Sequence, residues 1–194
     1  EDGLLIIEGG RISAMGEASQ LLPKVRKDEI SNYEGKLMLP GLIDTHTHYP
    51  QTEMIASYGE QLLEWLETYT FPTEAKFNDT TYALKIAELF LDELIKNGTT
   101  TALVFPTVHP QSVDAFFEQA ERKNLRMIAG KVLMDRNAPE NLKDNAESAY
   151  SDSKELIEKW HNRGRLKYAV TPRFAPTSSE AQLRAARALL EENS

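Results

Sequence analysis

The 194-residue sequence contains no cysteine. That excludes disulfides, zinc–thiolate sites and thiol catalysis, and it suits a reducing, cytoplasmic compartment. No apolar run approaches the roughly 20 residues that a membrane-spanning helix needs, so no membrane partner is expected. Positive charge is also short. Lys and Arg number 22 against 30 Asp and Glu, for a formal net charge of −8, and no basic run exceeds Lys24-Val-Arg26-Lys27. A nucleic-acid backbone is a poor partner for such a chain, because phosphate binding relies on clustered cations. No signal-peptide pattern opens the sequence, and Glu1-Asp2-Gly3 reads as the interior of a longer protein. What remains is ordinary for a globular protein, at 41% hydrophobic and 27% charged residues. The length suits one domain, or one and part of another.

Histidine is scarce as well, with four in the chain. Two of them lie in the most informative stretch, Pro40-Gly-Leu-Ile-Asp-Thr-His-Thr-His-Tyr-Pro-Gln51. Side chains in a strand alternate faces, so Asp44, His46 and His48 project to one side. Neutral imidazole is the commonest protein ligand for a divalent transition metal. His46 and His48 are therefore candidate metal ligands and amount to half of a site, since zinc takes three or four protein ligands.

The organisation changes along the chain. Leu4–Ile7 and Arg11–Ala14 read as a hairpin around Glu8-Gly-Gly10, and 29–39 as one more strand region. Residues 1–39 are too few to hold a core and are expected to be part of a small β-rich subdomain. From 40 to 194, strands and helices alternate. Strands are expected at Leu42–Thr47, Thr99–Phe105, Arg126–Leu133 and Leu166–Val170. Helices are expected at 59–66, Asp79–Asn97, Ser112–Lys123, Asn145–Asn162 and from Ser179 onward. In the second helix Ala83, Ile86, Ala87, Phe90 and Leu94 form one apolar stripe. Four consecutive β-α units imply an α/β fold with a parallel sheet and right-handed crossovers. A doubly wound sheet and a (β/α)8 barrel both fit this pattern. The absence of a Gly-x-Gly-x-x-Gly turn after the first strand weighs against the former. A metal pair at the carboxyl end of that strand favours the latter. The expectation is the first half of a barrel, four strands of eight.

Pro40 to His48 matches the Pro-Gly-hydrophobic-hydrophobic-Asp-x-His-x-His signature of the amidohydrolase superfamily. The preceding Gly3-to-Gly16 segment resembles the start of that superfamily's small β-sandwich. More narrowly, His48-Tyr-Pro-Gln51, Gly59-Glu-Gln-Leu-Leu-Glu-Trp-Leu66, Tyr69-Thr-Phe-Pro-Thr-Glu74, Lys131-to-Pro139 and Thr171-Pro-Arg-Phe-Ala-Pro176 resemble the guanine deaminases within it. The resemblance implies a zinc-dependent, cytoplasmic, homodimeric hydrolase that converts guanine to xanthine and ammonia. It implies His46 and His48 as zinc ligands, and Gln51, Arg173 and Phe174 as purine contacts. The general acid/base Glu and the remaining ligands would lie beyond Ser194, so these residues alone are expected to be inactive and to hold zinc weakly. The chemistry suits each role. Gln51 offers an amide donor and a carbonyl acceptor, Arg173 a fork of donors, and Phe174 a stacking face. On residue types alone, Gln51 could equally be a solvated loop amide, Arg173 a salt bridge at a strand end, and Phe174 barrel packing.

Other polar residues carry weaker expectations. His109, after the second strand, might face the same mouth. His161 suits a helix C-terminus and a structural role. Asp135-Arg136 is expected to be a buried ion pair shaping the pocket. Glu53, Glu60, Glu64, Glu67 and Glu74 are expected to be solvated or locally paired. Two alternatives stay open: an amidohydrolase acting on cytosine or an s-triazine, and a non-catalytic module that self-associates through open strand edges.

Overall fold

The computed structural model describes residues 2–59 and 61–193, so Glu60, in the helix expected at 59–66, lies outside the described residues. The chain divides into two compact units, Glu1–Pro40 and Gly41–Ser194. The first contains strands β1 (Gly3–Glu8) and β2 (Arg11–Glu17) and a short helix α1 (Ala18–Leu21). β1 and β2 pair antiparallel, with a register shift between Ile6 and Ile7. Gly9 and Gly10 both take positive φ, 57° and 75°, as the twist of a two-residue hairpin turn requires. The strand expected at 29–39 is not formed. Lys27–Glu29 is a 3-10 turn and the rest is irregular. Strands exist through ladder hydrogen bonds, and among the described residues no third strand pairs with the hairpin. Apolar Leu37, Met38 and Leu39 consequently stand exposed.

The second unit runs β3 (Leu42–His48), α2 (Leu62–Trp65), α3 (Phe71–Ala75), α4 (Thr80–Lys96), β4 (Thr99–Phe105), α5 (Pro110–Arg122), β5 (Arg126–Ala129), β6 (Val132–Leu133), α6 (Ala146–Trp160), β7 (Lys167–Tyr168), β8 (Thr171–Pro172) and α7 (Glu180–Glu192). β3, β4, β5 and β7 form one parallel sheet in that order, and β6 pairs parallel with β8. Strand order follows chain order without reversal. A doubly wound sheet reverses at a switch point, whereas a barrel advances one strand at a time, so the α/β fold is that of a partial barrel. Among the described residues no helix is long and apolar enough to cross a membrane.

The expected third and fourth strands are each broken at the same level. Gly130 and Lys131 separate β5 from β6, and Ala169 and Val170 separate β7 from β8. The chains touch there. A Cβ built on Gly130 would sit 1.7 Å from the Ala169 carbonyl oxygen, so only glycine fits. Thr171 Oγ1 donates across the break, at 2.8 Å from both Gly130 O and Lys131 O. Beyond the break the two chain segments pair with each other as a separate two-stranded sheet.

The helices follow their sequence signals. Asp79 caps α4 by accepting from Tyr82 N–H at 3.0 Å, Asn145 caps α6 with a reciprocal Ser148 bond, and Ser179 caps α7. The α4 stripe packs inward, with Ala83, Ile86, Ala87 and Phe90 buried beside Tyr49 and Phe116 in the main core. The helix expected at 59–66 begins later and runs further. α2 passes through a π turn at Leu66–Thr70 into α3. Pro72 lacks the N–H that a regular α-helix would use in this turn, and a wider turn accommodates the lost bond.

Candidate functional site

β3 delivers His46 and His48 to one face at its carboxyl end. The imidazole centroids are 5.2 Å apart, edge to face. Asp44, two residues earlier, does not reach the rings; its carboxylate accepts from the His46 backbone N–H at 3.0 Å and ties the strand end. Phe105, at the end of neighbouring β4, stacks on His48 at 4.8 Å and lies 5.1 Å from His46. Phe105 thus fixes both imidazole planes through register, because β4 pairs in parallel with β3 and His48 is opposite Phe105.

Electrostatics keep His48 uncharged. The His48 pKa is lowered to about 4, chiefly by burial and then by the positive charges of Arg173 and of His46. Its Nδ1 is buried and has no hydrogen-bond partner. A neutral imidazole with an unused buried nitrogen has the donor chemistry of a metal ligand. Among the described residues no cluster of three or more His, Cys, Asp or Glu could hold a metal ion. The residues present fit a divalent metal in kind.

Gln51 follows in the 3-10 segment Tyr49–Met54, half-buried, and its amide Nε2 donates to Glu74 Oε1 at 3.4 Å. Arg173 follows β8. Its Nη1 donates to Glu74 Oε2 at 2.6 Å and its Nη2 to Oε1 at 3.1 Å, a bidentate pair in which the Glu74 side chain is 1% exposed and that of Arg173 8%. The guanidinium carbon also lies 5.8 Å from the centroid of the Phe71 ring. The salt-bridge alternative for Arg173 is therefore what the geometry contains, and it does not use up the guanidinium. Phe174 is 40% exposed, so the barrel-packing alternative is not what this residue does.

Glu74 reverses an expectation. It is neither solvated nor locally paired, since its cation lies 99 residues on. The signal was present: no Lys or Arg stands one helical turn from Glu74, and Phe71 and Pro72 beside it are apolar. A carboxylate without a local cation in such a stretch needs a distant one. Glu53 does behave as expected, exposed and accepting from Tyr82 Oη at 2.6 Å.

The expected Asp135–Arg136 ion pair does not form. Arg136 is exposed and donates to the Ala175 carbonyl at 3.0 Å, while Asp135 accepts from Ser179 N–H at 2.7 Å and from its hydroxyl. Both residues lie beyond the end of β6, where each finds a nearer partner, and Asp135 serves the start of α7. His161 caps α6, with Nδ1 accepting from Tyr168 N–H at 3.1 Å. His109 precedes α5 with its Nε2 buried and unpartnered, and its pKa is lowered by burial and by Lys131. It lines a polar cavity of about 410 Å³ together with Lys131, Asp144 and Asp152; His46 and His48 are not part of that lining.

Residues 37–194 match the Amidohydrolase family. The chain is 58% identical over 196 residues to a guanine deaminase of Escherichia coli (strain K12), covering 99% of this chain and 44% of that protein. It is 44% identical to a probable guanine deaminase of Deinococcus radiodurans, covering 98% and 45%. Among solved structures, the fold superposes on an E. coli guanine deaminase with a TM-score of 0.96, at 57% identity over 100% of this chain and 45% of the other. It superposes on a guanine deaminase from C. acetobutylicum with bound guanine in the active site with a TM-score of 0.89, at 30% identity over 97% and 45%. A mutant atrazine chlorohydrolase from Arthrobacter aurescens, complexed with zinc and atraton, shares the fold at a TM-score of 0.83 and 20% identity, over 100% and 47%. The chain spans less than half the length of the relatives it matches.

Proposed function

The chain belongs to the amidohydrolase family, and from that premise we propose that the whole protein deaminates guanine to xanthine and ammonia with the help of zinc. The observation that carries this reading is one charged array spanning two strand ends. Gln51 and Arg173 meet on Glu74, and the Arg173 charge acts on His48. Identity to guanine deaminases over nearly the whole chain supports the same substrate.

His46 and His48 would hold the metal as neutral ligands, with further ligands from polypeptide outside these residues. Bound there, zinc would supply Lewis acidity and lower the pKa of a water molecule. This chain's own residues would do the recognition. Gln51 spends one amide N–H on Glu74 and keeps its carbonyl free to accept. Arg173 turns part of its donor fork toward Glu74 and keeps the remainder for a purine carbonyl or ring nitrogen. Phe174, exposed beside it, would cover the ring face. We place the β1–β2 hairpin in a small β-sandwich subdomain and the intact enzyme in a cytoplasmic homodimer, which light scattering on purified protein would check.

Xanthine formation from guanine by the full-length protein tests the reading. Turnover of guanine is expected, together with none by residues 1–194 alone. Turnover of cytosine or an s-triazine without guanine would sink the assignment.

A further inference from the structure

Glu74 is the common partner of two residues assigned above to the purine, and it is nearly inaccessible to solvent. A buried carboxylate is tolerated when its charge is paired and its lone pairs are used. Here both oxygens are used on Arg173 and one again on Gln51. The carboxylate accepts only, so it dictates which way the Gln51 amide is turned: Nε2 inward to Glu74, the carbonyl oxygen away from it. The same two oxygens fix the plane of the guanidinium, which the Phe71 ring backs from the same short helix.

We propose that Glu74 is a positioning and specificity-determining residue that sets the donor–acceptor order of the purine site. With Glu74 in place, Arg173 presents donors and Gln51 presents an acceptor. That order selects a heterocycle edge in which a carbonyl lies beside a ring or exocyclic N–H, as in guanine. It selects against an amino-purine edge, which would need the opposite order. Glutamine at this position would remove the charge and could itself turn either way, so Gln51 would no longer be held in one orientation.

The inference rests on the guanine reading, and the experiment separates the two. In the full-length enzyme, Glu74→Gln is expected to raise KM for guanine about tenfold or more, the scale of one lost bond to a charged group, while kcat changes less than threefold. Inhibition by hypoxanthine should weaken in parallel, and inhibition by adenine should not. Glu74→Asp, which keeps the charge, should recover part of the lost affinity. Placing Glu74→Gln in a Gln51→Leu background should add less to KM than it adds alone. A wild-type enzyme that forms no xanthine overturns the guanine reading, whatever Glu74 does. A working wild type with KM and hypoxanthine inhibition unchanged in Glu74→Gln overturns the positioning role. An equal fall of kcat in every variant with KM unchanged does the same. Should Glu74→Gln fail to fold, Glu74→Asp decides alone: raised KM with kcat retained supports the role, and unchanged KM removes it.

Discussion

The carboxyl ends of β3 and of β5–β8 differ in how their charged and polar groups are paired. Around β5–β8, Lys131 pairs with Asp144 and lies nearer than 4 Å to Asp152. Asp144 also accepts from Met134 N–H at 3.2 Å and from Gln182 Nε2 at 2.5 Å, and Tyr168 Oη accepts from Lys131 N–H at 3.1 Å. Burial pushes the Asp144 carboxyl up, and Lys131 pulls it back. At β3 the imidazoles have ring contacts, but the buried His48 Nδ1 has no partner. The paired charges of that network are occupied with holding the fold, although Gln182 Oε1 and His109 Nε2 are buried there without partners. Unspent capacity at a strand end is what a metal or substrate site requires. The difference separates structural polarity from chemical polarity within one layer of the barrel.

Substitutions on the paired side should cost stability, and on the open side function. The largest effect is expected for Lys131→Met, which strands a buried carboxylate and should destabilise the protein by about 3–5 kcal/mol. Urea unfolding measures it, and Lys131→Met with Asp144→Leu should recover most of the loss. An effect below about 1 kcal/mol for the single change would mean that the pair is solvated. Next is Gly130→Ala, where the new methyl meets the Ala169 carbonyl. A loss of about 3 kcal/mol is expected from overpacking against backbone, read as a lowered Tm. Smallest on stability is His48→Asn, below about 1 kcal/mol because no hydrogen bond is lost. It should nonetheless strip zinc from the full-length enzyme, measured by metal analysis. A His48 variant that keeps stoichiometric zinc would erase the distinction between the two regions.

Much of this was legible along the chain, where local physics decides. β4 occupies Thr99–Phe105 as its β-branched run predicts, and α4 is bounded by the Asp79 cap and closed before Gly98. The i, i+2 histidines lie on a strand because alternation is a local property. What escaped depends on distant partners. The strand breaks at Gly130 and Ala169 arise from two chains crowding each other, so neither segment betrays them alone. The 29–39 segment has strand-like residues and no ladder to join. Glu74 reads as one more glutamate on a helix until Arg173, 99 residues away, is brought beside it.

The π turn at Leu66–Thr70 has a consequence for how the charges meet. A regular α-helix advances about 100° per residue, and the wider turn changes the angular phase of everything that follows it. Phe71 and Glu74, one helical turn apart, owe their shared heading toward Arg173 to that phase. Backbone pitch, rather than any side chain, thereby aims the carboxylate. Deleting one residue between Leu66 and Thr70 could tighten the helix while turning Glu74 off Arg173, without altering a single residue of the recognition set.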